Sequence, residues 1–449
     1  MFEPLYTAEE MRAAEERFPG PNDELMERAG QATARHALDY FASAQVFTVV
    51  CGAGNNGGDG RIAAKVLAEA GRKVRIVEAK KEPEAELGKP EVVVDALFGT
   101  GFAGEPRPDA ASLIARMNAL GAPIIAVDVP SGVDASTGEV AGAAIDADLT
   151  VTFHGEKLGL EVAPGRFLSG HIEVADIGLE PSETKHRLVS RAVLGRVPLR
   201  GPRDNKYSAG SVLVVGGSPG MTGAVCLAAG AAFRADAGYV TVCAPKESLP
   251  VIETRLLEAV KRDIDEAFEA VERAGSLAIG PGLGRGEGRQ ALVRRLLEET
   301  DLPAVVDADG LFELEPFERN GPTVLTPHSG ELARLIDEQS DWVDAHRLEA
   351  LERAVDRYRC VVLLKGAEML VGAPGEGVLV CSTGRPSLAT AGSGDVLTGI
   401  IGSFLAKGLE PRLAAAAGAT ALGQASVETP QQAGLVASDL LAALPRTLA

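Results

Sequence analysis

The sequence has few aromatic residues and few cysteines. Of its 449 residues, 4% are aromatic, with a single Trp, and five are cysteine. No Cys-x-x-Cys pair occurs and the number of cysteines is odd, which argues against a zinc site or a disulfide framework. We therefore expect the cysteines to be small buried apolar residues, at positions 51, 226, 243, 360 and 381.

Positive charge is also scarce. The 44 Lys and Arg stand against 63 Asp and Glu, giving a formal net charge of −19, and no dense basic run occurs. Because nucleic-acid binding needs a basic surface, we expect no nucleic-acid partner. The apolar runs are of strand length and the acidic N-terminus lacks the order of a signal peptide. We expect no membrane partner and a cytoplasmic location.

The sequence does contain a repeated alternation of strands and helices. Short β-branched runs ending in Gly, Asp or Pro alternate with Ala-, Leu-, Glu- and Arg-rich segments of helical period, a pattern typical of a mainly parallel sheet. It occurs twice. We predict two doubly wound α/β domains, residues 1–195 and 196–449, joined by a polar stretch (180–210) that we expect to contain no strand.

The predicted strands are the apolar runs of each half, and helices from Thr7 and Asn22 precede those of the first half. Ligands of an open parallel sheet lie beyond the carboxyl ends of its strands, so the residues after each run are the candidates. The runs are 46–52, 73–79, 91–99, 122–130, 148–155 and 171–178, then 211–217, 239–245, 276–282, 303–310, 323–328, 360–366 and 377–383.

The first strand ends in CGAGNNGGDG (51–60), which contains Gly-x-Gly-x-x-Gly. Such a loop before a helix can hold a phosphate, and Glu78 stands where a dinucleotide fold places its ribose-binding acid. This pattern alone would indicate a dehydrogenase. However, Asn55, Asn56 and Asp59 fill positions where the dinucleotide fingerprint has small or apolar residues.

Further oxygen-bearing side chains follow the neighbouring strands, namely Asp95, Asp128 and Ser131. Together with the amides and carboxylate of the first loop, they suit a substrate or an alkali or alkaline-earth ion. The alternative is that these Asn and Asp residues only form turns.

Four segments, in order across residues 5–180, resemble the NAD(P)H-hydrate epimerase family, also called the YjeF N-terminal domain. They are CGAGNNGGDG, VVVDALFGTGFAG, AVDVPSGVD and ADLTVTFHGEKLGL. The resemblance implies a Rossmann-like domain that interconverts the R and S forms of hydrated NADH and NADPH, with a bound potassium ion.

The same resemblance implies roles for individual residues. Asp128 is our candidate for the proton transfer that epimerisation requires, and Lys157 either neutralises substrate phosphate or is a solvated surface residue. The resemblance implies that Asn56, Asp95 and Ser131 bind the potassium ion. Substrate binding falls to Asn55, Asn56, Gly57, Gly58, Asp59, Gly99, Thr100, Gly101, Phe102, Ala103, Gly104 and Glu105.

The strongest signal of the second half is ATAGSGDVLTG (389–399), a glycine-rich turn that enters an apolar helix. Its backbone N–H groups at 392–395 would form an anion hole for a transferring phosphoryl group, and Asp395 is placed to take a proton from a hydroxyl. The alternative is a simple helix cap. Neither half contains the P-loop motif, so another scaffold must hold the nucleotide.

Two further strand ends carry polar residues with more than one interpretation. His328, in LTPHSGE, is either a ligand contact or a buried histidine. Asp307 and Asp309, in VVDADGL, either hold Mg²⁺ through water or cap the following helix.

Five segments across residues 196–445 resemble the NAD(P)H-hydrate dehydratase family, which has a ribokinase-like fold. They are NKYSAGSVLVVGGSPGMTGA, AIGPGLG, LTPHSGE, VLLKGAE and ATAGSGDVLTGII. The resemblance implies phosphorylation of the S-hydrate hydroxyl and loss of phosphate to restore the nicotinamide ring. Bacterial members usually use ADP, which yields AMP, and Mg²⁺ accompanies the ADP.

This second resemblance also implies site residues. Asp395 would be catalytic, and Met369 and Arg385 depart from the family pattern of Thr and Asn. The hydrate would contact Ala224, Gly282 and His328. The nucleotide would contact Lys365, Gly366, Ala367, Glu368, Met369, Gly392, Ser393 and Gly394.

Together the two halves predict a bifunctional repair enzyme for nicotinamide cofactors, acting on small molecules and forming a homo-oligomer. One alternative is a ribokinase-like vitamin or sugar kinase fused to a dinucleotide-binding module. In another, the first domain is non-catalytic and only the second is an enzyme.

Overall fold

The computed structural model describes residues 1–431 and 433–448. The chain packs as two compact units, each described below by itself. The N-terminal unit comprises Pro4–His186 and Asp344–Arg347. The C-terminal unit comprises Met1–Glu3, Arg187–Val343 and Leu348–Ala449. The chain therefore passes from the N-terminal unit to the C-terminal unit after His186. The predicted functional domain boundary near residue 195 stays a prediction.

The first part of the chain forms eight strands and five helices. The strands are β1 (Phe2–Tyr6), β2 (Val46–Cys51), β3 (Lys73–Glu78), β4 (Val92–Ala96), β5 (Ile124–Val127), β6 (Leu149–Phe153), β7 (Glu156–Lys157) and β8 (His171–Ala175). The helices are α1 (Ala8–Glu16), α2 (Asn22–Tyr40), α3 (Asn55–Glu69), α4 (Pro108–Asn118) and α5 (Leu158–Glu161).

A six-stranded sheet, ordered β3-β2-β4-β5-β6-β8, forms the centre of the N-terminal unit, and every neighbouring pair is parallel. Its central strands are buried throughout because both faces are covered. Helices α2 and α3 contribute to one apolar core and α4 to another. This covering of both faces exposes only the strand ends to ligands.

The described residues from 186 onwards form ten strands and ten α-helices. The strands are β9 (His186–Val189), β10 (Ser211–Val215), β11 (Tyr239–Ala244), β12 (Val260–Asp263), β13 (Ser276–Ile279), β14 (Ala304–Val306), β15 (Thr323–Leu325), β16 (Val361–Leu364), β17 (Met369–Gly372) and β18 (Leu379–Cys381). The helices are α6 (Thr222–Arg234), α7 (Leu249–Arg255), α8 (Ala267–Val271), α9 (Glu287–Glu298), α10 (Ser329–Leu335), α11 (Ser340–Ala345), α12 (Arg347–Tyr358), α13 (Ser393–Ala406), α14 (Pro411–Glu428) and α15 (Ala437–Thr447).

The sheet of the C-terminal unit runs β12-β11-β10-β13-β14-β15-β16-β17-β18-β9. It is parallel except at β17, which is antiparallel to both neighbours. Helix α13 packs closely on α6, because a Cβ at Gly399 would lie 2.0 Å from the carbonyl oxygen of Ala228. That close approach fixes the helix that begins with the glycine-rich turn. The predicted α/β class, with two parallel-sheet units, is confirmed.

The sequence did not reveal five of the short strands. The stretch 180–210, expected to contain no strand, contains β9, so that expectation was wrong. Strands β1, β7, β12 and β17 also went unpredicted. Most of these sequences, such as VKRD in β12, lack an apolar run, and β12 forms because its neighbour β11 supplies the hydrogen-bonding ladder. The apolar run of β17, MLV, is only three residues long.

All five cysteines are free thiols. Cys51, Cys243 and Cys381 are buried, and Cys226 and Cys360 are partly buried. No helix in the described residues combines the length and the apolar composition needed to cross a bilayer.

Candidate active sites

A cavity of about 940 Å³ lies at the carboxyl ends of β2, β4 and β5 in the N-terminal unit. Among the predicted substrate residues, its lining includes Asn55, Asn56, Asp59, Gly99, Thr100, Gly101, Phe102 and Ala103, together with Asp128. Sequence reasoning missed the contribution of α1, including Glu15. That helix follows β1, a strand that the sequence did not reveal, so the rule that located the other residues could not find it.

Asp128 and Lys157 form an ion pair at this cavity. The Lys157 Nζ lies 2.7 Å from Asp128 Oδ1, and the lysine side chain is fully buried. Nζ also donates to Thr152 Oγ1 (2.7 Å) and to the Phe153 carbonyl (2.9 Å). Lys157 is therefore not a solvated surface residue, and its charge holds the Asp128 carboxylate beside the cavity.

The backbone of Asp128 is in the left-handed region, with φ of 68°. This conformation is uncommon for a residue other than Gly, although Asp and Asn tolerate it best. It places the carboxylate to accept from the Thr100 N–H (3.2 Å), on the loop that lines the opposite wall. Asp128 thus contacts the predicted substrate-binding segment 99–105.

The three predicted potassium ligands meet around the backbone of Phe98. Asn56 Nδ2 donates to the Phe98 carbonyl (2.8 Å), and the Phe98 N–H donates to Ser131 Oγ (2.9 Å). Ser131 Oγ in turn donates to Asp95 Oδ1 (2.7 Å), and the Ser131 N–H donates to Asp95 Oδ2 (2.8 Å). Asp95 is fully buried, and its burial raises its pKa to about 6.

One atom of this cluster has no partner. Asn56 Oδ1 is buried and accepts no hydrogen bond from the described residues. A buried amide oxygen without a donor is costly unless a ligand satisfies it. Together with the nearby oxygens of Asp95 and Ser131, this orphaned oxygen fits a hard cation such as potassium.

Some predicted substrate residues have packing roles instead of lining the cavity. A Cβ at Gly57 would lie 2.0 Å from the Gly52 carbonyl oxygen, and one at Gly58 would lie 2.3 Å from Met26 Sδ. These glycines allow α3 to start tightly against the strand end. Gly104 has φ of 81° in the following turn, and the Glu105 side chain approaches Gly142.

Glu78, the candidate ribose acid of a dehydrogenase, is engaged by Arg61. The guanidinium donates to both carboxylate oxygens (2.8 and 2.6 Å) and to the Gly52 carbonyl (2.9 Å). Hydrogen bonding to Arg61 lowers the pKa of Glu78. The carboxylate is therefore already paired within the protein, which disfavours the dehydrogenase interpretation.

In the C-terminal unit, the glycine-rich turn starts α13. Gly392 caps the helix with φ of 92°, a conformation that suits glycine. The first-turn N–H groups of a helix have no intrahelical partner and carry partial positive charge. Asp395 lies in this first turn, and burial, reinforced by the charge of Asp307, raises its pKa to about 7.

A buried polar network lies beside this turn. Lys365 Nζ donates to Asp307 Oδ1 (2.7 Å), and Thr398 Oγ1 donates to Asp307 Oδ2 (2.7 Å). Glu331 lies 3.7 Å from the same Nζ. Burial alone would lower the pKa of Lys365, but the charges of Asp307 and Glu331 outweigh it and raise that pKa.

Lys365 lies next to the predicted anion hole. A Cβ at Gly394 would lie 3.3 Å from Lys365 Nζ and 3.5 Å from Asp307 Oδ2. Asp307 makes no helix-cap bond, so it holds Lys365 instead of capping. Asp309 accepts from the Gly284 N–H (2.9 Å) and from Arg285 Nε (2.9 Å), so the second aspartate braces the 280–285 loop.

His328 is partly exposed and is hydrogen-bonded within the protein. Its Nδ1 accepts from the Gly330 N–H (3.0 Å), so it caps α10, and its side chain is 57% exposed. Burial of part of the ring lowers its pKa. Its Nε2 lies 3.4 Å from Glu331 Oε1, and the predicted hydrate contact stays a prediction.

Of the remaining predicted residues, Ala224 lies on α6, and the others lie on or directly after two loops. Gly282 has φ of 59°, and a Cβ there would lie 3.1 Å from the Ala224 Cβ, so the two predicted hydrate residues are neighbours. Residues 366–368 connect β16 to β17, which begins at Met369. Arg385 binds the chain itself, donating to the Thr429 carbonyl (3.2 Å).

Two protein families match the chain, one over its first part and the other over its second part. The family described as YjeF-related protein N-terminus matches residues 22–87 and 76–159. The family described as NAD(P)H-hydrate dehydratase matches residues 212–446.

Relatives and solved structures agree with these matches. The bifunctional NAD(P)H-hydrate repair enzyme Nnr of Moorella thermoacetica is 38% identical, over 99% of this chain and 96% of its own. That of Escherichia coli K12 is 35% identical, over 94% and 89%. The Bacillus subtilis ADP/ATP-dependent NAD(P)H-hydrate dehydratase, co-crystallised with ATP and Mg²⁺, covers 57% of this chain and 94% of its own, at 29% identity and TM-score 0.53. The chain therefore belongs to the family of bifunctional NAD(P)H-hydrate repair enzymes.

Proposed function

We propose that the chain restores hydrated nicotinamide cofactors in two reactions. The N-terminal unit interconverts the R and S hydrates of NADH and NADPH, and the C-terminal unit dehydrates the S form with ADP as phosphoryl donor. The observation that carries the proposal is that one chain has both a cavity with a buried Asp128–Lys157 pair and a glycine-rich helix start that contains Asp395 and lies beside Lys365.

In the dehydratase, Asp395 accepts the proton of the hydrate hydroxyl as that oxygen attacks the terminal phosphorus of ADP. The N–H groups of the α13 first turn and the charge of Lys365 stabilise the transferring phosphoryl group. AMP leaves, and phosphate then departs with the C–O electron pair. Loss of a proton from the adjacent carbon restores the ring double bond.

Magnesium with ADP would neutralise phosphate charge. Within residues 1–431 and 433–448, no group of three or more His, Cys, Asp or Glu side chains is arranged to hold a metal ion. Both Asp307 oxygens are engaged by Lys365 and Thr398. Phosphate oxygens and water would therefore supply most of the magnesium ligands.

A single assay tests the proposal. A mixture of R and S hydrates of NADH is supplied with ADP and Mg²⁺, and absorbance of the reduced nicotinamide is followed. We expect complete recovery with release of AMP and phosphate. Recovery of only the S fraction would refute the epimerase activity. No recovery with ADP or ATP would refute the whole proposal. A vitamin or sugar kinase would instead leave a stable phosphorylated product. The relatives that match over nearly their full length do not favour this alternative.

Potassium should stabilise the N-terminal unit through Asn56 Oδ1. At ten times its dissociation constant, a ligand contributes about 1.4 kcal/mol, or a rise of about 3–6 °C in the melting temperature of a domain this size. Thermal unfolding in potassium, sodium and tetramethylammonium chloride at equal ionic strength measures this effect. Asn56→Ala should abolish the potassium-specific rise. A rise that persists in the variant would contradict the assignment.

The proposal retains two expectations from the sequence. We propose a cytoplasmic location and a homo-oligomeric state, which cell fractionation and light scattering with size-exclusion chromatography would test.

A further inference from the structure

Epimerisation at the hydrated carbon needs two proton-transfer groups. That carbon bears a hydroxyl and is bonded to the ring nitrogen, so its configuration can invert if the carbon–nitrogen bond opens and closes again. Opening takes a proton from the hydroxyl and gives one to the nitrogen. The site must therefore present one ionised base and one protonated acid at the same time.

Asp128 is suited to be the base. Its carboxylate is paired with the fully buried Lys157 and accepts from the Thr100 N–H. A nearby positive charge favours the ionised form of a carboxylic acid. This pairing leaves the complementary role, that of the acid, to another group in the cavity.

Asp59 lines the same cavity in a contrasting environment. It lies on the second turn of α3 with a relative exposure of 8%. In the described part of the chain, its carboxylate has no hydrogen-bond donor and no cation at ion-pair distance. A buried carboxyl group without such partners is held in its neutral form.

We propose that Asp59 is the acid that works with Asp128 in epimerisation, donating its proton to the ring nitrogen as the hydroxyl-bearing carbon opens. The inference rests on the proposed epimerase function and adds a catalytic residue to it. Asp128 removes the hydroxyl proton, the oxygen electron pair forms the carbonyl, and the carbon–nitrogen pair passes to the nitrogen. Rotation and the reverse transfers close the ring on the other face.

The charges around Asp59 support its neutral state at physiological pH. Burial, reinforced by the charges of Asp128 and Glu15, raises the pKa of Asp59 to about 8. Burial likewise raises the pKa of Glu15, which faces the cavity from α1. The charged groups around the cavity are Glu9, Arg12 and Glu15 on α1, Asp128 and Asp134 after β5, and Lys157 on β7.

The test uses the full chain without nucleotide, so that the dehydratase is silent. Epimer exchange is followed by NMR from pure S hydrate across pH 6 to 10. For the wild type, we expect the rate to fall as pH rises through about 8, where Asp59 loses its proton. Asp59→Asn should lower kcat by about 10²–10⁴-fold with KM changed less than threefold, and Asp59→Glu should recover part of the rate.

Glu69→Gln, an exposed acid at the far end of the same helix, is the matched control and should exchange hydrates at the wild-type rate. Dehydration of S hydrate with ADP checks that each variant is folded. Asp59→Asn with wild-type kcat, or with a raised KM and an unchanged pH profile, would overturn the inference while leaving the epimerase intact. If the wild-type protein exchanged no hydrate, the proposed epimerase function itself would be refuted.

Discussion

Asp395→Asn is expected to lower the rate of S-hydrate dehydration by about 10³-fold or more while epimer exchange continues at the wild-type rate. Asn keeps the size and polarity of the side chain at the first turn of α13 but cannot accept the hydroxyl proton. Because the substitution leaves the backbone N–H groups of the proposed anion hole in place, ADP binding should change little.

The measurement compares kcat for dehydration with ADP affinity and with nucleotide-free epimer exchange in one preparation. The wild type should also gain dehydratase activity as pH rises through about 7, because the raised pKa of Asp395 keeps it protonated, and unable to accept a proton, below that value. A variant that retains more than a tenth of the wild-type kcat would exclude Asp395 as the base.

Asp128→Asn is expected to stop epimer exchange, with a fall of about 10²–10⁴-fold, so that fast recovery is limited to the S fraction of a mixed substrate. Asn tolerates the left-handed backbone conformation at this position, so the substitution adds no backbone strain. The measurement is the amplitude of the fast phase in the mixed-hydrate assay, which should equal the S content.

This substitution also removes the charge partner of the buried Lys157. Loss of one member of a buried ion pair destabilises a protein by about 3–5 kcal/mol. The double variant Asp128→Asn/Lys157→Met should therefore recover stability without recovering exchange. If it regained the exchange rate, the defect of the single variant would be one of folding, and Asp128 would not be the base.

The sequence was sufficient to predict the long strands and the residues that follow them. Runs such as VFTVVC in β2 are apolar on both faces because helices cover both sides of the sheet. The rule that ligands lie beyond strand ends then located Asn56 and Asp128 in the cavity. Short strands such as β9 were missed because their pairing depends on a partner that is distant in sequence.

The missed parts of the sites share a physical cause. Glu15 reaches the cavity from a helix, and Thr398 reaches Asp307 from the second turn of α13. Nothing in the sequence indicated that Lys157 is buried, since a lysine beside a strand is usually solvated. Its contacts with Asp128, Thr152 and the Phe153 carbonyl explain the burial. Tertiary proximity, which local periodicity does not encode, determines all three.

Phe98 shows how a residue can organise a site without using its side chain. Its carbonyl holds Asn56 and its N–H holds Ser131, so both contacts belong to the peptide backbone. An alanine scan would replace the ring and leave these two bonds in place. Tolerance of substitution at position 98 would therefore say little about its importance, and only a change to the backbone itself, such as the loss of the N–H in proline, would reveal it.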